Sequence, residues 1–259
     1  EHGLALGDVR HLLLTHVHLD HAGAAGDLAA AIPRLRVHVH RDGAPHLADP
    51  ARLVASTRRT FGAAHDALWG VTRPVPRDAL ATWEPRARGP LKRIRAIPTP
   101  GHIGHHLAYL NERDGTVFTG DALGIILRSA APTHPPTPPP AVDLDAWRTT
   151  LAELRALGAE RAAVAHFGLH ADVAERAHQL QEALDRLEAR VRRALAGGTA
   201  RAEQDARAFH EEACAALAQV ATTEWAERVF EVFRPDNDWR GVQRWLEQAA
   251  RRSHVEEER

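Results

Sequence analysis

Thr15-His16-Val17-His18-Leu19-Asp20-His21 decides the reading of this chain, because four ligand-type side chains fall within six residues. The apolar run His11–Thr15 (HLLLT) precedes them and reads as a buried strand. The Ala-rich stretch Ala22–Ala31 follows and reads as a helix. His16 and His18 are two residues apart at the strand's exit, so in extended geometry both project to the same side. Asp20 and His21 come as the chain turns into the helix. Such a string can serve two adjacent metal ions, one taking His16 and His18 and the other Asp20 and His21. A lone His-x-His would read as a surface cluster. The full string, set between an apolar strand and a small-residue helix, does not.

Three later segments repeat the layout of a strand that ends in a donor. Ile97-Pro98-Thr99-Pro100-Gly101-His102 places a His after a Pro-Gly turn. Val117-Phe118-Thr119-Gly120-Asp121 ends in a carboxylate, and Ala162-Ala163-Val164-Ala165-His166-Phe167-Gly168 in another His. Functional groups of α/β proteins gather beyond the carboxyl ends of strands. The donors are N and O groups suited to zinc or iron.

Further strands are expected at Val37–His40, Ile94–Thr99, Val117–Thr119 and Arg161–Ala165. A helix over Leu144–Leu157 has Asp143 as N-cap and Gly158 as its stop. Asp172 and Glu175 resemble a capping box, after which Leu180, Leu184, Leu187, Val191 and Leu195 recur at helical spacing up to Gly197-Gly198. Amphipathic segments follow at Ala206–Phe233 and Trp239–Ala250, with Pro235 between them. Ala131–Pro140 (APTHPPTPPP) reads as a fairly rigid linker of polyproline II type. Residues 1–170 thus read as one region of alternating strands and helices, and residues 171–259 as a helical extension.

The composition fits a small-molecule enzyme. The chain has 259 residues, 33 Lys and Arg against 34 Asp and Glu, and 18 His. A formal net charge of −1 gives no electrostatic reason to expect nucleic acid or an anionic membrane as partner. No stretch approaches the roughly 18 to 20 apolar residues that span a bilayer. The N-terminus lacks the basic-then-apolar layout of a signal peptide. A single Cys excludes an internal disulfide and a multi-thiolate zinc site, and it favours the cytoplasm.

THVHLDH, TPGH, FTGD and AHFG resemble the metallo-β-lactamase superfamily from about Gly7 to His170. HRDGAPHLADPARL, TPGHIGHH and THPPTPPPAVDLDAW resemble a subgroup of metallo-hydrolases without an assigned substrate. The resemblance implies an α+β fold, the αββα sandwich, here with a C-terminal helical extension. It puts His16, His18 and His102 on a first metal and Asp20, His21 and His166 on a second, with Asp121 bridging. Members carry several strands before the His-x-His-x-Asp-His segment, one of them ending in an Asp-x-Gly turn. Only 15 residues precede His16, and the chain holds no Met. The expectation is therefore that the N-terminal strands are missing from this chain, or else that the first sheet is incomplete.

Two divalent ions, zinc ahead of iron and manganese, would lower the pKa of a bridging water and polarise a carbonyl. The expected reaction is hydrolysis of a small ester, thioester, lactone or amide by the bridging hydroxide, with Asp20 and Asp121 as catalytic carboxylates. The alternative on the same scaffold is an iron-dependent oxidoreductase of the persulfide dioxygenase type. Among the other His, His105 and His106 are close enough to His102 to support a ligand, or else pack within the turn. His170 reads as a solvated loop residue ahead of a pocket-lining one, and His38 and His40 read as structural. His134 has a small claim to face the substrate. Arg58 and Arg59 read as a solvated helix face, and Cys214 as packed rather than catalytic. The helical tail, with Trp225, Phe230, Phe233, Trp239 and Trp245, serves as a cover over the site, a structural cap or a homodimer contact.

Overall fold

The computed structural model describes residues 3, 5–83, 91–127, 133–166 and 168–257. Its chain folds as two compact units, Glu1–Pro98 with His105–Tyr109, and Thr99–Gly104 with Leu110–Arg259.

In the first unit, β1 (His11–Leu13), β2 (Arg36–His40) and β3 (Leu80–Trp83) form a parallel sheet with β2 central. Leu12 pairs with Val37, and His40 with Trp83. Val37 and Val39 are fully buried with Leu14, Val17, Ile32, Leu35 and Leu47. This burial explains why so short a β-branched run makes a strand. Trp83 packs instead with Ala96, Leu107 and Tyr109, joined by Leu13 and Ile94. The unit also holds the helices α1 (Leu19–Ala22), α2 (Ala25–Ala31), α3 (Ala44–Ala48), α4 (Ala51–Phe61) and α5 (His65–Trp69). Strand β4 (Ile94–Pro98) neighbours the start of β5 (Leu107–Asn111).

In the second unit, β6 (Thr116–Gly120) runs parallel to β7 (Arg161–Val164), and β7 antiparallel to β8 (Gly168–His170). Helix α6 (Leu144–Ala156) starts at Asp143, whose carboxylate accepts from the N–H groups of Asp145 and Ala146 at 3.1 Å each. Its buried stripe is Leu144, Trp147, Leu151 and Leu154. Helix α7 (Val173–Ala196) buries Ala177, Leu180, Leu184, Leu187 and Val191. Arg148 ties α6 to Asp185 and Glu188 of α7. The chain closes with α8 (Thr199–Ala218), α9 (Thr223–Val232) and α10 (Pro235–Glu257). Mixed sheets followed by a helical C-terminal region are the expected fold class. Among the described residues, no helix is long and apolar enough to cross a membrane.

The local expectations need four corrections. Asp172 makes no cap hydrogen bond, because its carboxylate turns to the Arg176 guanidinium at 3.1 Å. Ala206–Phe233 is not one helix but parts of α8 and α9, divided where the Thr222 hydroxyl accepts from the Trp225 N–H. The Pro-rich segment is no solvated linker: Thr133 to Thr137 are buried, and His134 forms a bridge with Ile125. Ala131 and Pro132 lie outside the described residues. His170 is a buried β8 residue rather than a solvated one, paired across the strand with Ala162.

Candidate functional site

The two compact units each carry part of the expected donor set. In the first, β1 exits through Leu14 and Thr15 into His16. The Leu14 N–H donates to the His38 carbonyl, and the Leu14 carbonyl accepts from the Tyr109 hydroxyl, at 2.9 and 2.8 Å. The Leu107 N–H donates to the Thr15 carbonyl at 2.8 Å. With the backbone held this way, His16 Nε2 and His18 Nδ1 face each other at 3.0 Å. Helix α1 starts at Leu19, earlier than the sequence suggests, because Leu19 and Ala22 are both buried. That turn leaves Asp20 reachable from solvent beside a nearly buried His21, and Asp20 Oδ2 lies 3.2 Å from His21 Nε2. The His16 ring is 4.1 Å from that of His21 and stacks on that of His106 at 4.9 Å. His106, one of two undecided residues, thus buttresses a donor. The other, His105, sits against Gly43 and near the rings of His40 and His46.

In the second unit the donors come from three turns. Gly101 and His102 lie against α6: the Thr150 hydroxyl donates to the Pro100 carbonyl at 2.6 Å, and the Asp143 N–H to the Gly101 carbonyl at 2.8 Å. A Cβ on Gly101, whose φ is +145°, would sit 2.4 Å from Trp147 Cβ, so only glycine fits. The pairing of β6 with β7 slips between Phe118 and Gly120, just before Asp121. His166 follows β7. Phe167 lies outside the described residues.

Asp121 is 3% exposed, and each of its oxygens faces a different imidazole. Oδ2 is 3.3 Å from His102 Nε2, and Oδ1 is 3.4 Å from His166 Nε2. Donors about 2.0–2.1 Å from a tetrahedral cation stand about 3.3 Å from one another. The four neighbouring pairs, at 3.0, 3.2, 3.3 and 3.4 Å, lie at or near that separation. The residues therefore fit divalent metal ions in both donor type and spacing. His102 Nδ1 donates to the Pro136 carbonyl at 2.7 Å, which leaves Nε2 as its ligand nitrogen. The His166 ring meets the edge of Phe233 at 4.7 Å.

His38 and His134 are structural. His38 is 1% exposed; its Nδ1 accepts from Trp83 Nε1 at 2.8 Å, so its Nε2 carries the proton it shares with His11 Nδ1 at 2.9 Å. Burial first, then the neighbouring His11 and Arg36 charges, lower its pKa to about 4. His134 donates to Asp238 at 2.7 Å. Cys214 packs beside Phe230 and Leu217, and burial raises its thiol pKa, which suits packing and not catalysis. Arg58 pairs with the exposed Asp66. Phe230, Trp239 and Trp245 of the helical tail are buried as core. Sequence reasoning missed Asp238, although a signal existed. Counted from Val242 and Trp245, both buried, it falls on the apolar face of its helix.

The model of the metallo-beta-lactamase superfamily matches residues 1–166. Thioesterase pkgB of Emericella nidulans is 32% identical over 113 residues, 44% of this chain and 24% of that protein. A hydroxyacylglutathione hydrolase of Cupriavidus taiwanensis is 32% identical over 124 residues, 47% of this chain and 38% of that protein. The crystal structure of ST1585, an archaeal superfamily protein from Sulfolobus tokodaii, superposes with a TM-score of 0.57 at 25% identity. That match covers 68% of this chain and 67% of the other. The chain spans between 24% and 62% of the length of the first curated relatives it matches. With well over half of its length under one family model, this chain belongs to the metallo-beta-lactamase superfamily.

Proposed function

We propose that the protein is a dinuclear metal-dependent hydrolase of small acyl compounds, with residues 1–170 as the catalytic region and 171–259 as a helical extension. His16, His18 and His102 would hold one cation and Asp20, His21 and His166 the other, with Asp121, grouped with the second set, as the carboxylate the two cations would share. The observation that carries this reading is the Asp121 carboxylate, buried with one oxygen toward His102 and the other toward His166. A carboxylate that served only as an ion-pair partner would have no need of two separate imidazoles on its two oxygens. Bound there, divalent ions would supply Lewis-acid activation of a water and of a substrate carbonyl.

The chain's own groups do the rest. Asp20 has a side chain 27% exposed, against 5% for Asp121, so it is the carboxylate that solvent reaches and the candidate to take a proton from the nucleophile. Asp121 keeps the two imidazoles at fixed separation. Zinc is the ion of first choice, with iron and manganese next. The names of two relatives, a thioesterase and a hydroxyacylglutathione hydrolase, put thioesters ahead of esters, lactones and amides. The single Cys214, packed within the helices, accords with a cytoplasmic protein.

Elemental analysis of the protein as isolated, paired with a thioester, ester, lactone and amide panel, tests the reading. About two metal equivalents and chelator-sensitive turnover are expected. Full metal occupancy without hydrolysis of any panel member would sink it. A single iron with oxygen uptake on persulfide would replace it with the dioxygenase alternative.

A further inference from the structure

Outside the donor set, the second unit holds a buried carboxylate whose contacts lead back to His102. Asp238 lies in the first turn of α10 and is 5% exposed. Its Oδ2 accepts from His134 Nε2 and its Oδ1 from the Thr137 N–H, both at 2.7 Å. The Thr137 hydroxyl donates in turn to the Asp238 carbonyl at 2.9 Å. Between His134 and Thr137 stand two prolines, which bring no N–H to anchor themselves. The segment is therefore pinned from its ends. At one end, His134 and Ile125 exchange backbone hydrogen bonds at 2.9 Å each. At the other end, and through the His134 side chain, Asp238 provides the anchor. A Cβ on Gly241, one turn along α10, would lie 1.7 Å from the Thr137 carbonyl oxygen, so helix and segment meet at backbone distance. The carbonyl held between those ends is that of Pro136, which accepts from His102 Nδ1 at 2.7 Å.

We propose that Asp238 is a positioning residue: through His134 and Thr137 it fixes the Pro136 carbonyl, which keeps the His102 proton on Nδ1 and turns Nε2 to its metal. The inference rests on the metal reading above for its consequence, though not for the hydrogen-bond chain itself. An imidazole ligand needs its other nitrogen held by an acceptor, and loss of such a partner typically costs about 10- to 100-fold in metal affinity. The helical extension would then be part of what makes the metal centre bind, without contributing a ligand.

The test uses the full chain and Zn²⁺ alone, titrated against a competing chelator. In Asp238→Ala, one of the two equivalents should weaken by about 10- to 100-fold while the other stays within about twofold. Asp238→Asn, which restores an acceptor to Thr137, should recover most of that loss. In ¹⁵N-labelled metal-free protein, His102 should carry its proton on Nδ1 in the parent and show mixed tautomers in the Ala variant. Equal weakening of both equivalents, or wild-type binding of both in a folded variant, would overturn the proposal. If Asp238→Ala does not fold, Asp238→Asn carries the same readings, expected as a several-fold loss at one equivalent only. A parent protein that binds no zinc would defeat the proposed function, and the tautomer of His102 would then decide the positioning role by itself.

Discussion

The two donor sets are built in opposite ways. His16, His18, Asp20 and His21 fall within six consecutive positions, and one strand exit with a single helical turn carries all four. His102, Asp121 and His166 are spread over 65 residues and arrive on three turns, each steadied by something different. For His102 it is α6 and the Pro136 carbonyl, for Asp121 the slip between β6 and β7, and for His166 the ring of Phe233. The contiguous set takes its order from local chain geometry, with its strand exit steadied by Tyr109, Leu107 and His106, whereas every member of the dispersed set is placed by tertiary packing. Perturbations remote from the donors should therefore damage the second far more than the first.

The sharpest break of this comparison is Asp121→Asn. The change keeps shape and removes the charge that faces both imidazoles. Metal content should fall from about two equivalents to one or fewer, and turnover by about 10³-fold, equivalent to about 4 kcal/mol. Retention of two tightly bound ions would mean that the contiguous string suffices and that Asp121 does not bridge.

Next is a pH effect in β2, the strand paired with the one that leads into the contiguous set. The folded chain holds His38 neutral, with a pKa of about 4 against an ordinary 6.5. Between those values the unfolded chain takes up a proton that the folded chain does not. The contribution is thus full above pH 6.5, declines as pH falls, and is gone below about 4. It amounts to about 3 kcal/mol at most. Urea unfolding of metal-free protein at pH 7 and pH 4.5 measures it, and His38→Asn should flatten the difference. An unchanged slope in that variant would show that His38 is not the group responsible.

How much was legible in the sequence follows the same division. The contiguous string could be read outright, because strand, string and helix are neighbours in the chain. His102, Asp121 and His166 were found by their place after strands, and their mutual distances needed the fold. What supports them was mostly invisible. Pro136 contributes a backbone carbonyl, which has no sequence signature, and Asp238 stands 136 residues from the His102 it reaches through the loop. Strands β3, β5 and β8 went unseen for a related reason. Each is five residues or fewer, and Leu107 to Leu110 in β5 are all buried, so no alternation marks them. The Pro-rich run read as a linker because composition does not report that a buried carboxylate satisfies its few donors.

Two glycines allow a direct contest between the regions. Alanine at Gly101 would meet the Trp147 Cβ and Cγ at 2.4 Å and its Cα at 2.6 Å, at a φ of +145° that L residues rarely adopt. Alanine at Gly43 would meet only the methyl ends of Val39 and Val17, at 2.9 and 3.0 Å, and the His105 ring at 3.3 Å. Gly101→Ala should cost about 1–3 kcal/mol and lower zinc affinity, while Gly43→Ala should cost less and leave affinity intact. Thermal unfolding and chelator competition on both variants give the comparison. Equal penalties would contradict the claim that tertiary packing sets the dispersed donors.

The smallest effect belongs to Phe233, whose ring meets His166 edge-on at 4.7 Å and an interplanar angle of 70°. Such a contact is worth about 0.5–1.5 kcal/mol beyond simple burial. Leucine at 233 keeps most of the apolar volume and loses the ring's directional hold on the imidazole. Affinity for the second equivalent should drop severalfold, with the first unaffected and unfolding temperature barely moved. A loss of stability without loss of affinity would make Phe233 a packing residue only. The tail would then touch the metal centre through Asp238 alone, and the dispersed set would depend on one remote support fewer than its geometry suggests.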